Sequence, residues 1–477
     1  MVDTNLAARL EELRATGEFG TSVVEHLGKY LVEQPDEVLY RMSPLRYAQT
    51  EGLRELDAID LFLHATRAGV LEFTWGVLCP ACAAFLVAPG GIRSLVRKRH
   101  CALCQMPVTG RLDENVEVAF TVAPSIRRIR FHDPESLDPR ADGLALYFST
   151  SLAKDDGMRP VIGPAILWHG RVSPGESTQG RVSLPPGRYV LLSPHTHTAL
   201  RLVAREGGPT QVPVDVLDHS IIPERAAVAA GEVDLQIRSR VSRTVGLLLF
   251  PDPLPLPEER SSDTMPPAQR LLPYLSGKRL LTSQAFRDLF RTESVPAEGG
   301  LELRSLTVLF TDLKGSTEMY ERLGDLRAFS LVRGHFQSLH RVVARAGGAV
   351  VKNIGDAIMA SFCEPEAAMQ AALAMNHSIQ GLPGGSGMSL KIGLHAGPCI
   401  AVDLNDRLDY FGKTVNVAAR VQGLADANEI VCTESLFGSA GVAAACAAAS
   451  CHARHEHAML KGIGDFVPIV RLTAPDR

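Results

Sequence analysis

The sequence predicts a multidomain α+β protein with an N-terminal helical segment, two cysteine motifs, an all-β sandwich-like domain and a C-terminal ferredoxin-like α+β domain. Three patterns support this prediction. Apolar residues recur at helical spacing over residues 1–75, short β-branched runs separated by Pro and Gly fill residues 113–250, and strands alternate with helices from residue 303. The length of 477 residues suits about three domains of roughly 150 residues each.

Composition excludes some classes of function. Hydrophobic residues make up 45% of the chain, charged residues 21%, and the net charge is −4. This weak negative charge argues against broad electrostatic binding to nucleic acid or to an anionic membrane, so we expect neither partner. No apolar run approaches the roughly 18 residues of a membrane-spanning helix, and the acidic start MVDTNLAARLEELRATGE does not resemble a signal peptide. These features, with an odd number of cysteines, predict a cytoplasmic protein.

The first 75 residues have the signals of several short helices. Ser43-Pro44 is a helix start, with a capping residue followed by proline in the first turn. The stretch RELDAIDLFLHATRAG is a further helix that closes at Gly69. Such a cluster is compatible with a helix-turn-helix-like unit, but clustered helices do not by themselves establish one.

Two Cys-x-x-Cys pairs lie within residues 76–112. The four cysteines are Cys79, Cys82, Cys101 and Cys104. Their spacing is typical of a zinc ribbon, in which four thiolates hold a structural Zn²⁺ in a closed tetrahedral site. The alternative is a set of reduced core cysteines. The basic stretches IRSLVRKRHC and SIRRIRFH allow a contact with nucleic acid, although solvated charge is the favoured interpretation.

Residues 113–250 predict an all-β regulatory domain, followed by a proline-rich linker and a short helix, SQAFRDLFR, over residues 251–302. The β region contains Trp168-His169 and the pair His195 and His197. Alternate strand residues share a face, so a ligand site is conceivable there. Inert histidines at strand ends are the preferred interpretation.

Residues 303–472 predict the order β-α-β-β-α-β. A strand, LTVLFTD, is followed by two helices, the hairpin GAVVKNIGDAIMASF, another helix, a second hairpin SLKIGLHAGPCIAV, and the helix GKTVNVAARVQGLA. This order suits an antiparallel ferredoxin-like sheet with its helices on one face.

Two pairs of polar residues in this domain are candidates for chemistry. Asp312 ends the first strand and Asp356 begins the second strand of the hairpin, so neighbouring strands would bring two carboxylates to one sheet edge. Paired carboxylates are typical Mg²⁺ ligands, whereas a single Asp at a strand end is usually a turn or cap residue. Asn416 and Arg420 share a helix face and could orient a sugar and stabilise phosphoryl charge. A solvated helix face is the alternative.

Together, LFTDLKGST, KNIGDAIMASF, IGLHAGP and DYFGKTVNVAAR resemble the class III nucleotidyl cyclase family across residues 303–472. The resemblance implies that Asp312 and Asp356 hold two Mg²⁺ or Mn²⁺ ions per active site. It further implies that Lys352 and Asp409 read adenine, where guanylate cyclases typically show Glu and Cys or Ser. It assigns ribose orientation to Asn416, transition-state stabilisation to Arg420 and triphosphate binding to Lys461.

The implied activity is that of an adenylate cyclase, which converts ATP to cyclic AMP and pyrophosphate. In homodimeric members of the family each active site lies at the subunit boundary. One chain supplies the metal-binding aspartates and the other supplies the base-reading pair, Asn and Arg. Lys352 and Asp356 would then serve different sites, against the alternative of a local ion pair. The N-terminal region would regulate the enzyme in response to an unidentified ligand or protein.

Two departures from the family pattern remain. The chain continues as VDLND after HAGPCIA, where many members have glycine, which leaves the geometry of the dimerisation arm open. The stretch CHARHEH contains His452, His455 and His457, which we interpret as solvated residues before a strand rather than metal ligands. The rival functions are a catalytically silent nucleotide-binding scaffold and a ribbon-led nucleic-acid-binding regulator.

Overall fold

The computed structural model describes residues 2–88, 91–95, 98–152, 163–253, 271–291, 295, 300–315, 321, 324–380, 389–404, 407–462 and 466–473. The chain divides into two compact units. The first comprises residues 1–110 and 115–275, and the second comprises residues 111–114 and 276–477. Most of the predicted proline-rich linker (254–270) and of the predicted helix at 316–324 lies outside the described residues.

Five helices open the first unit. They are α1 (Val2–Ala15), α2 (Thr21–Glu33), α3 (Asp36–Leu39), α4 (Pro44–Glu51) and α5 (Glu55–Arg67). The predicted start of α4 is confirmed, because the Ser43 side chain accepts the backbone N–H of Arg46 and proline occupies the first helical position. The α5 helix is followed by Gly69 at φ 75°, a left-handed conformation that favours glycine.

A small sheet surrounds the cysteine motifs. Strand β1 (Leu71–Leu78) pairs with β2 (Phe85–Val87) on one side and with β5 (Val116–Val122) on the other. Strands β3 (Arg99–Cys101) and β4 (Met106–Val108) form a separate hairpin. The predicted domain boundary at residue 75 therefore falls inside β1. The cysteine region is an insertion between β1 and β5, which pair with each other.

The rest of the first unit is rich in β structure. Its strands are β6 (Trp168–Val172), β7 (Ser177–Leu184), β8 (Gly187–Ser193), β9 (Thr198–Arg205), β10 (Gln211–Leu217), β11 (Ile221–Ile222), β12 (Arg225–Ala229), β13 (Gly231–Arg240) and β14 (Val245–Pro251). They form a four-stranded sheet (β11-β10-β13-β7) and a five-stranded sheet (β12-β9-β8-β14-β6). Buried side chains from both sheets, such as Leu191 and Leu235, share one core cluster.

The prediction that residues 113–250 are all β is wrong at α6 (Pro139–Tyr147). Its start carries the same local signal as α4. The Asp138 side chain accepts the backbone N–H groups of Arg140 and Ala141, and Pro139 occupies the first helical position. The surrounding β pattern obscured this capping signal.

Strand β15 (Leu275–Ser276) completes the small sheet, whose order is β15-β5-β1-β2. The short helices α7 (Gly277–Leu281) and α8 (Gln284–Leu289) follow, and α8 matches the predicted short helix. The main sheet of the second unit contains β16 (Leu301–Lys314), β17 (Ala349–Ile354), β18 (Ala357–Phe362), β19 (Ser389–Leu404), β20 (Arg407–Phe411), β21 (Glu429–Thr433), β22 (His452–Met459) and β23 (Phe466–Thr473). Its order is β17-β18-β16-β19-β21-β23-β22, with β20 paired to β19. The first four strands are antiparallel to their neighbours and have the expected ferredoxin-like order, whereas β21 runs parallel to β19.

The helices of this unit are α9 (Asp325–Arg345), α10 (Pro365–Gln380), α11 (Lys413–Gln422), α12 (Glu434–Phe437) and α13 (Val442–Ala448). The expectation of helices on one face is wrong for α11. Residues of α9 and α10 share a cluster with Ile430 and Val470, whereas Val417 of α11 packs with Val431 and Ile469. Because successive strand residues point to opposite faces, α11 covers the other side of the sheet.

The predicted second hairpin, SLKIGLHAGPCIAV, is instead part of one 16-residue strand, β19. Gly397-Pro398 does not turn the chain. Opposite it, the register on β16 shifts between Leu303 and Leu306, which inserts one extra residue into β16. This bulge accommodates the proline within the sheet, and β19 continues to Leu404, which pairs with Arg407 of β20.

Candidate active site

The two candidate metal ligands lie at one end of adjacent strands. Strands β16 and β18 pair with Phe310 opposite Met359, and continuing that register by two residues places Asp312 opposite Ala357. Asp356 precedes Ala357 and lies in the two-residue hairpin turn, not at the start of the strand as predicted. Gly355 occupies the other turn position with φ 62°, which favours glycine.

Both carboxylates suit a cation. Asp312 and Asp356 are partly buried, and neither forms an ion pair with another residue in the described part of the chain. Lys391 is paired with Asp312 across the β16–β19 ladder but does not come within ion-pair distance of it. The predicted convergence of two aspartates at one sheet edge therefore agrees with the strand register.

Lys352 bonds to a partner far along the chain. Its Nζ donates to Oδ2 of Asp409 at 2.5 Å, and the other oxygen of Asp409 accepts the backbone N–H of Tyr410 at 2.8 Å. The Asp409 side chain is 10% exposed and that of Lys352 is 40% exposed. The structure thus brings the two predicted base-reading residues together, and it places Lys352 against Asp409 rather than in an ion pair with Asp356.

The short helix α8 holds the strands of this pair, a role that the sequence did not reveal. The Gln284 side chain accepts the backbone N–H of Val350 at 2.8 Å, two residues before Lys352. Arg287 donates to the carbonyl of Leu408 at 2.8 Å and lies over the ring of Tyr410, at 5.3 Å from its centroid. Both contacts flank the Lys352–Asp409 pair. Polar residues on a six-residue helix carry no sequence signal for such a role.

Helix α11 presents the remaining candidates. Asn416 is exposed and Arg420 is partly buried one turn later, on the same helix face. A Cβ atom placed on Gly462 would lie 3.4 Å and 3.5 Å from the two terminal nitrogens of Arg420. Since Lys461 immediately precedes Gly462 in the turn after β22, the two cationic residues predicted to bind phosphate are neighbours.

His335 on α9 is a buried residue that interacts electrostatically with Asp356 and that the sequence prediction missed. It is 0% exposed, and neither ring nitrogen has a hydrogen-bond partner among the described residues. Burial lowers the pKa of His335 to about 4, although the charge of Asp356 acts in the opposite direction. The ring is therefore neutral at pH 7. In the sequence, His335 is a single histidine within a helical apolar pattern, which does not indicate that it interacts with Asp356.

The four cysteines converge in the first unit. The sulfurs of Cys79, Cys82, Cys101 and Cys104 all lie within 4.8 Å of one another, and the Sγ atoms of Cys82 and Cys101 are 3.6 Å apart. A tetrahedral zinc ion with Zn–S bonds of about 2.3 Å would separate its sulfurs by roughly 3.8 Å. Hydrogen bonds from the thiols of Cys104, Cys79 and Cys82 lower the pKa of Cys101, whereas the hydrogen bonds to Cys101 raise the pKa of Cys82 and Cys104. The donor set therefore fits a metal ion.

The other histidines have different environments. Both ring nitrogens of His195 are bonded, since Nδ1 accepts the N–H of Gly246 and Nε2 donates to the carbonyl of Pro134. His452, His455 and His457 lie on strand β22 itself, not before a strand as predicted. They are not part of any metal-type cluster among the described residues, where the cysteines form the single such group.

Comparison with known proteins identifies both units. Residues 3–288 match a family of unknown function, DUF5939. The chain belongs to the DUF5939 family. Residues 302–460 match the adenylate and guanylate cyclase catalytic domain, which confirms the class III cyclase resemblance. A class III cyclase domain thus follows the DUF5939 region.

Curated relatives match the cyclase domain. An adenylate cyclase of Anabaena cylindrica is 32% identical over 142 residues, covering 26% of this chain and 28% of the relative. Adenylate cyclase 2 of Rhizobium meliloti is 33% identical over 131 residues, covering 24% and 36% respectively. The chain therefore spans about a third or less of the length of these relatives. The crystal structure of the adenylyl cyclase CyaB from P. aeruginosa aligns with 21% identity and a TM-score of 0.32, over 37% of this chain and 97% of that one. Among the described residues, no helix has the length and apolarity needed to cross a membrane.

Proposed function

We propose that this protein is an adenylate cyclase that converts ATP to cyclic AMP and pyrophosphate at a homodimer interface. The observation that carries the proposal is the contact between Lys352 and Asp409, which come from β17 and β20 and are 57 positions apart. An ammonium donor beside a carboxylate acceptor is complementary to adenine, which has ring-nitrogen acceptors and an exocyclic amine donor. Guanine has a carbonyl where adenine has that amine, and Asp409 would repel it.

Asp312 and Asp356 would hold two divalent cations. Their oxygen donors suit Mg²⁺ or Mn²⁺, and the absence of an ion pair to either residue within the described ranges leaves their negative charge available. Bound metal ions would lower the pKa of the ribose 3′-hydroxyl and neutralise charge on the phosphate chain. The half-buried carboxylates fix the position at which this chemistry takes place.

Helix α11 would supply the remaining contacts with the nucleotide. Asn416, on the exposed face, would hydrogen-bond the ribose and hold its 3′-hydroxyl in line with the α-phosphorus. Arg420 and Lys461 would bind the phosphates, where the guanidinium stabilises the charge that develops as the bond to pyrophosphate breaks. Arg420 lies close to Gly462, which directly follows Lys461, and this proximity supports joint action of Arg420 and Lys461.

A homodimer is proposed because the metal-binding aspartates and the base-reading pair would serve two different active sites, each completed by a second copy of the chain. Lys352 is held by Asp409, while Asp356, four residues later, would bind the metal ions. Elements that carry these residues also expose apolar side chains, including Ile354 (48% exposed) and Phe411 (64% exposed). Exposed apolar residues beside an incomplete site favour coverage by a second copy. A two-fold dimer would then contain two complete sites.

The cysteine cluster would hold one structural Zn²⁺. Four thiolates leave no open coordination position, so we assign this metal to the stability of the first unit and not to catalysis. The first unit would regulate the cyclase domain in the cytoplasm, in response to a ligand or protein.

Nucleic-acid binding is a weaker alternative for the first unit. In SIRRIRFH, the Arg127 side chain donates to carbonyls at the end of α2 and to Asp36, and Arg130 pairs with Glu37. These arginines therefore stabilise the fold instead of forming an open phosphate-binding surface. The silent-scaffold alternative is disfavoured because each of the matched catalytic positions is retained.

The test is product analysis with the purified full-length chain, Mg²⁺ or Mn²⁺, and either ATP or GTP. We expect cyclic AMP from ATP, and we expect Asp356→Asn to abolish turnover with an unchanged circular dichroism spectrum. The matched control is Asp426→Asn, at an exposed aspartate of the same unit, which should retain activity. Cyclic GMP as the main product, or no cyclic nucleotide with either metal, would overturn the proposal.

A further inference from the structure

A cavity of about 920 Å³ lies wholly within the first unit. It is bounded by residues 40–41, by residues 98–102 beside the cysteine cluster, by the 194–199 segment after β8 and by residues 219–224. Its volume is within the range of about 300–1,000 Å³ that small-molecule sites occupy. We call it the basic cavity.

The lining of the basic cavity is strongly cationic. Among the described lining residues, four side chains carry positive charge (Arg41, Lys98, Arg99 and Arg243), and Glu224 provides the single carboxylate. Lys98 and Arg243 are exposed at its surface and form no ion pair with other residues in the described ranges. Because the whole chain has a net charge of −4, this concentration of positive charge is not a reflection of overall composition.

Arg41 is the buried member of this group, at 6% exposure. Its guanidinium donates to the carbonyl of Leu146 at 3.1 Å and lies 4.2 Å from the centroid of the Phe85 ring. No carboxylate within the described residues comes within ion-pair distance of it, and the buried Glu117 interacts with it only at longer range. A buried cation without a paired anion is costly in free energy, and a bound anion would reduce that cost.

A histidine of the lining also has an unused ring nitrogen. His197 Nδ1 is buried and has no hydrogen-bond partner in the described structure, while its ring stacks on that of Tyr147 at 4.7 Å. Burial, followed by the nearby Arg41, lowers the pKa of His197 to about 4, so the ring is neutral at pH 7. A neutral imidazole can donate to an anion without a charge penalty. His195, with both nitrogens bonded, only shapes the wall.

The part of the basic cavity that adjoins the cysteine cluster is held in place by hydrogen bonds. The Tyr147 hydroxyl accepts the backbone N–H of Leu103 at 3.2 Å and contacts the Cys101 sulfur at 3.6 Å. Arg201 donates to the carbonyl oxygens of Ala102 and Leu103 and pairs with Asp252. These contacts fix residues 101–103, which adjoin the cationic part of the lining.

We propose that the basic cavity binds a small organic anion that carries phosphate groups. Four cationic side chains match a multiply charged group, and the fork of a guanidinium is suited to phosphate oxygens. Buried apolar side chains in the same lining, including Leu86, Leu146 and Ile221, provide a surface for the organic part of the ligand. This site is separate from the proposed cyclase reaction, and its test requires no turnover.

The experiment is calorimetric titration of the full-length chain with inorganic pyrophosphate. The protein carries Arg420→Ala and Lys461→Ala, so that phosphate binding at the proposed active site does not contribute. We expect binding that weakens as ionic strength rises. We also expect Lys98→Glu and Arg243→Glu each to weaken binding at least about tenfold, because each change replaces attraction by repulsion.

Lys29→Glu and Arg188→Glu are the matched controls, since both side chains are exposed on the same unit outside the cavity and should leave the affinity unchanged. Thermal unfolding establishes that all four variants are folded. Absence of pyrophosphate binding at millimolar concentration would overturn the proposal, as would equal affinity in the cavity and control variants. Tighter binding of citrate than of pyrophosphate would overturn the assignment to phosphate chemistry.

Discussion

Substitution of Lys352 and Asp409, the two residues proposed to read the base, tests the core of the proposed active site. The change is the double variant Lys352→Glu/Asp409→Cys, which removes both the proposed donor to an adenine ring nitrogen and the proposed acceptor for its exocyclic amine. A hydrogen bond to a charged group contributes about 1.5–3 kcal/mol. Loss of two such bonds in the transition state would therefore cost about 3–5 kcal/mol, allowing for incomplete additivity. Since about 1.4 kcal/mol corresponds to a factor of ten, kcat/KM for ATP should fall by about 10²- to 10⁴-fold.

The structure explains why both residues are changed together. Removal of Lys352 alone would leave the carboxylate of Asp409, which is 10% exposed, with the Tyr410 N–H as its remaining partner. That single variant would combine a loss of base recognition with a loss of stability, because an unpaired buried charge is destabilising. The double variant removes the Asp409 charge together with its Lys352 partner, and the carboxylate introduced at position 352 lies where the native side chain is 40% exposed.

The assay measures kcat/KM for ATP and for GTP by separation of the cyclic products. Lys413→Met, at an exposed lysine on α11, is the control and should retain the preference for ATP. Thermal unfolding should be compared first, so that reduced activity is not attributed to unfolded protein. If the folded double variant keeps the full ATP preference, Lys352 and Asp409 do not read the base.

Three further predictions concern assembly, metal and pH. Asp356→Ala and Arg420→Ala should each be inactive alone. After free subunit exchange their mixture should recover about a quarter of wild-type activity, because half of the dimers are mixed and each mixed dimer has one intact site of two. Continued inactivity despite measured subunit exchange would exclude a shared site. Elemental analysis should detect one zinc ion per chain. The Cys79→Ser variant should lose this zinc and show a lower unfolding temperature of the first unit. The prediction is refuted if protein purified under reducing conditions contains no zinc. Burial raises the pKa of Asp60 from 3.8 to about 6, so its contribution to stability is complete below about pH 4 and declines as pH rises through 6. The free energy of unfolding of Asp60→Asn, measured with denaturant, should accordingly rise by up to about 3 kcal/mol relative to wild type between pH 4 and pH 7. If the difference in unfolding free energy between the two proteins is the same at both pH values, the assigned pKa is contradicted.

The sequence by itself determined the character of the second unit. Its motifs are short and contiguous, and each one includes the strand or helix that positions its functional residue. The ferredoxin-like order followed from periodicity, because apolar spacing distinguishes strands from helices within one segment. The cysteine spacing likewise predicted a cluster, since two Cys-x-x-Cys turns leave few arrangements other than convergence on one centre.

Other features required the tertiary structure, because local patterns do not encode which distant surfaces meet. Both faces of β21 are buried, and that α11 covers the second face depends on long-range packing. Helix α6 was missed because its nine residues are surrounded by strands, although Asp138 provided a local capping signal. The support of β17 and β20 by Gln284 and Arg287 depends on where α8 packs, which its six residues do not specify.

The basic cavity shows this division most clearly. Lys98, Arg243 and Arg41 are dispersed along the chain, and each one separately has the pattern of a solvated or fold-stabilising charge. The sequence determined that these side chains are cationic. Only the packing of the cysteine region against the β strands of the first unit placed them around one volume, since long-range sheet and loop contacts, not local spacing, decide which charges become neighbours.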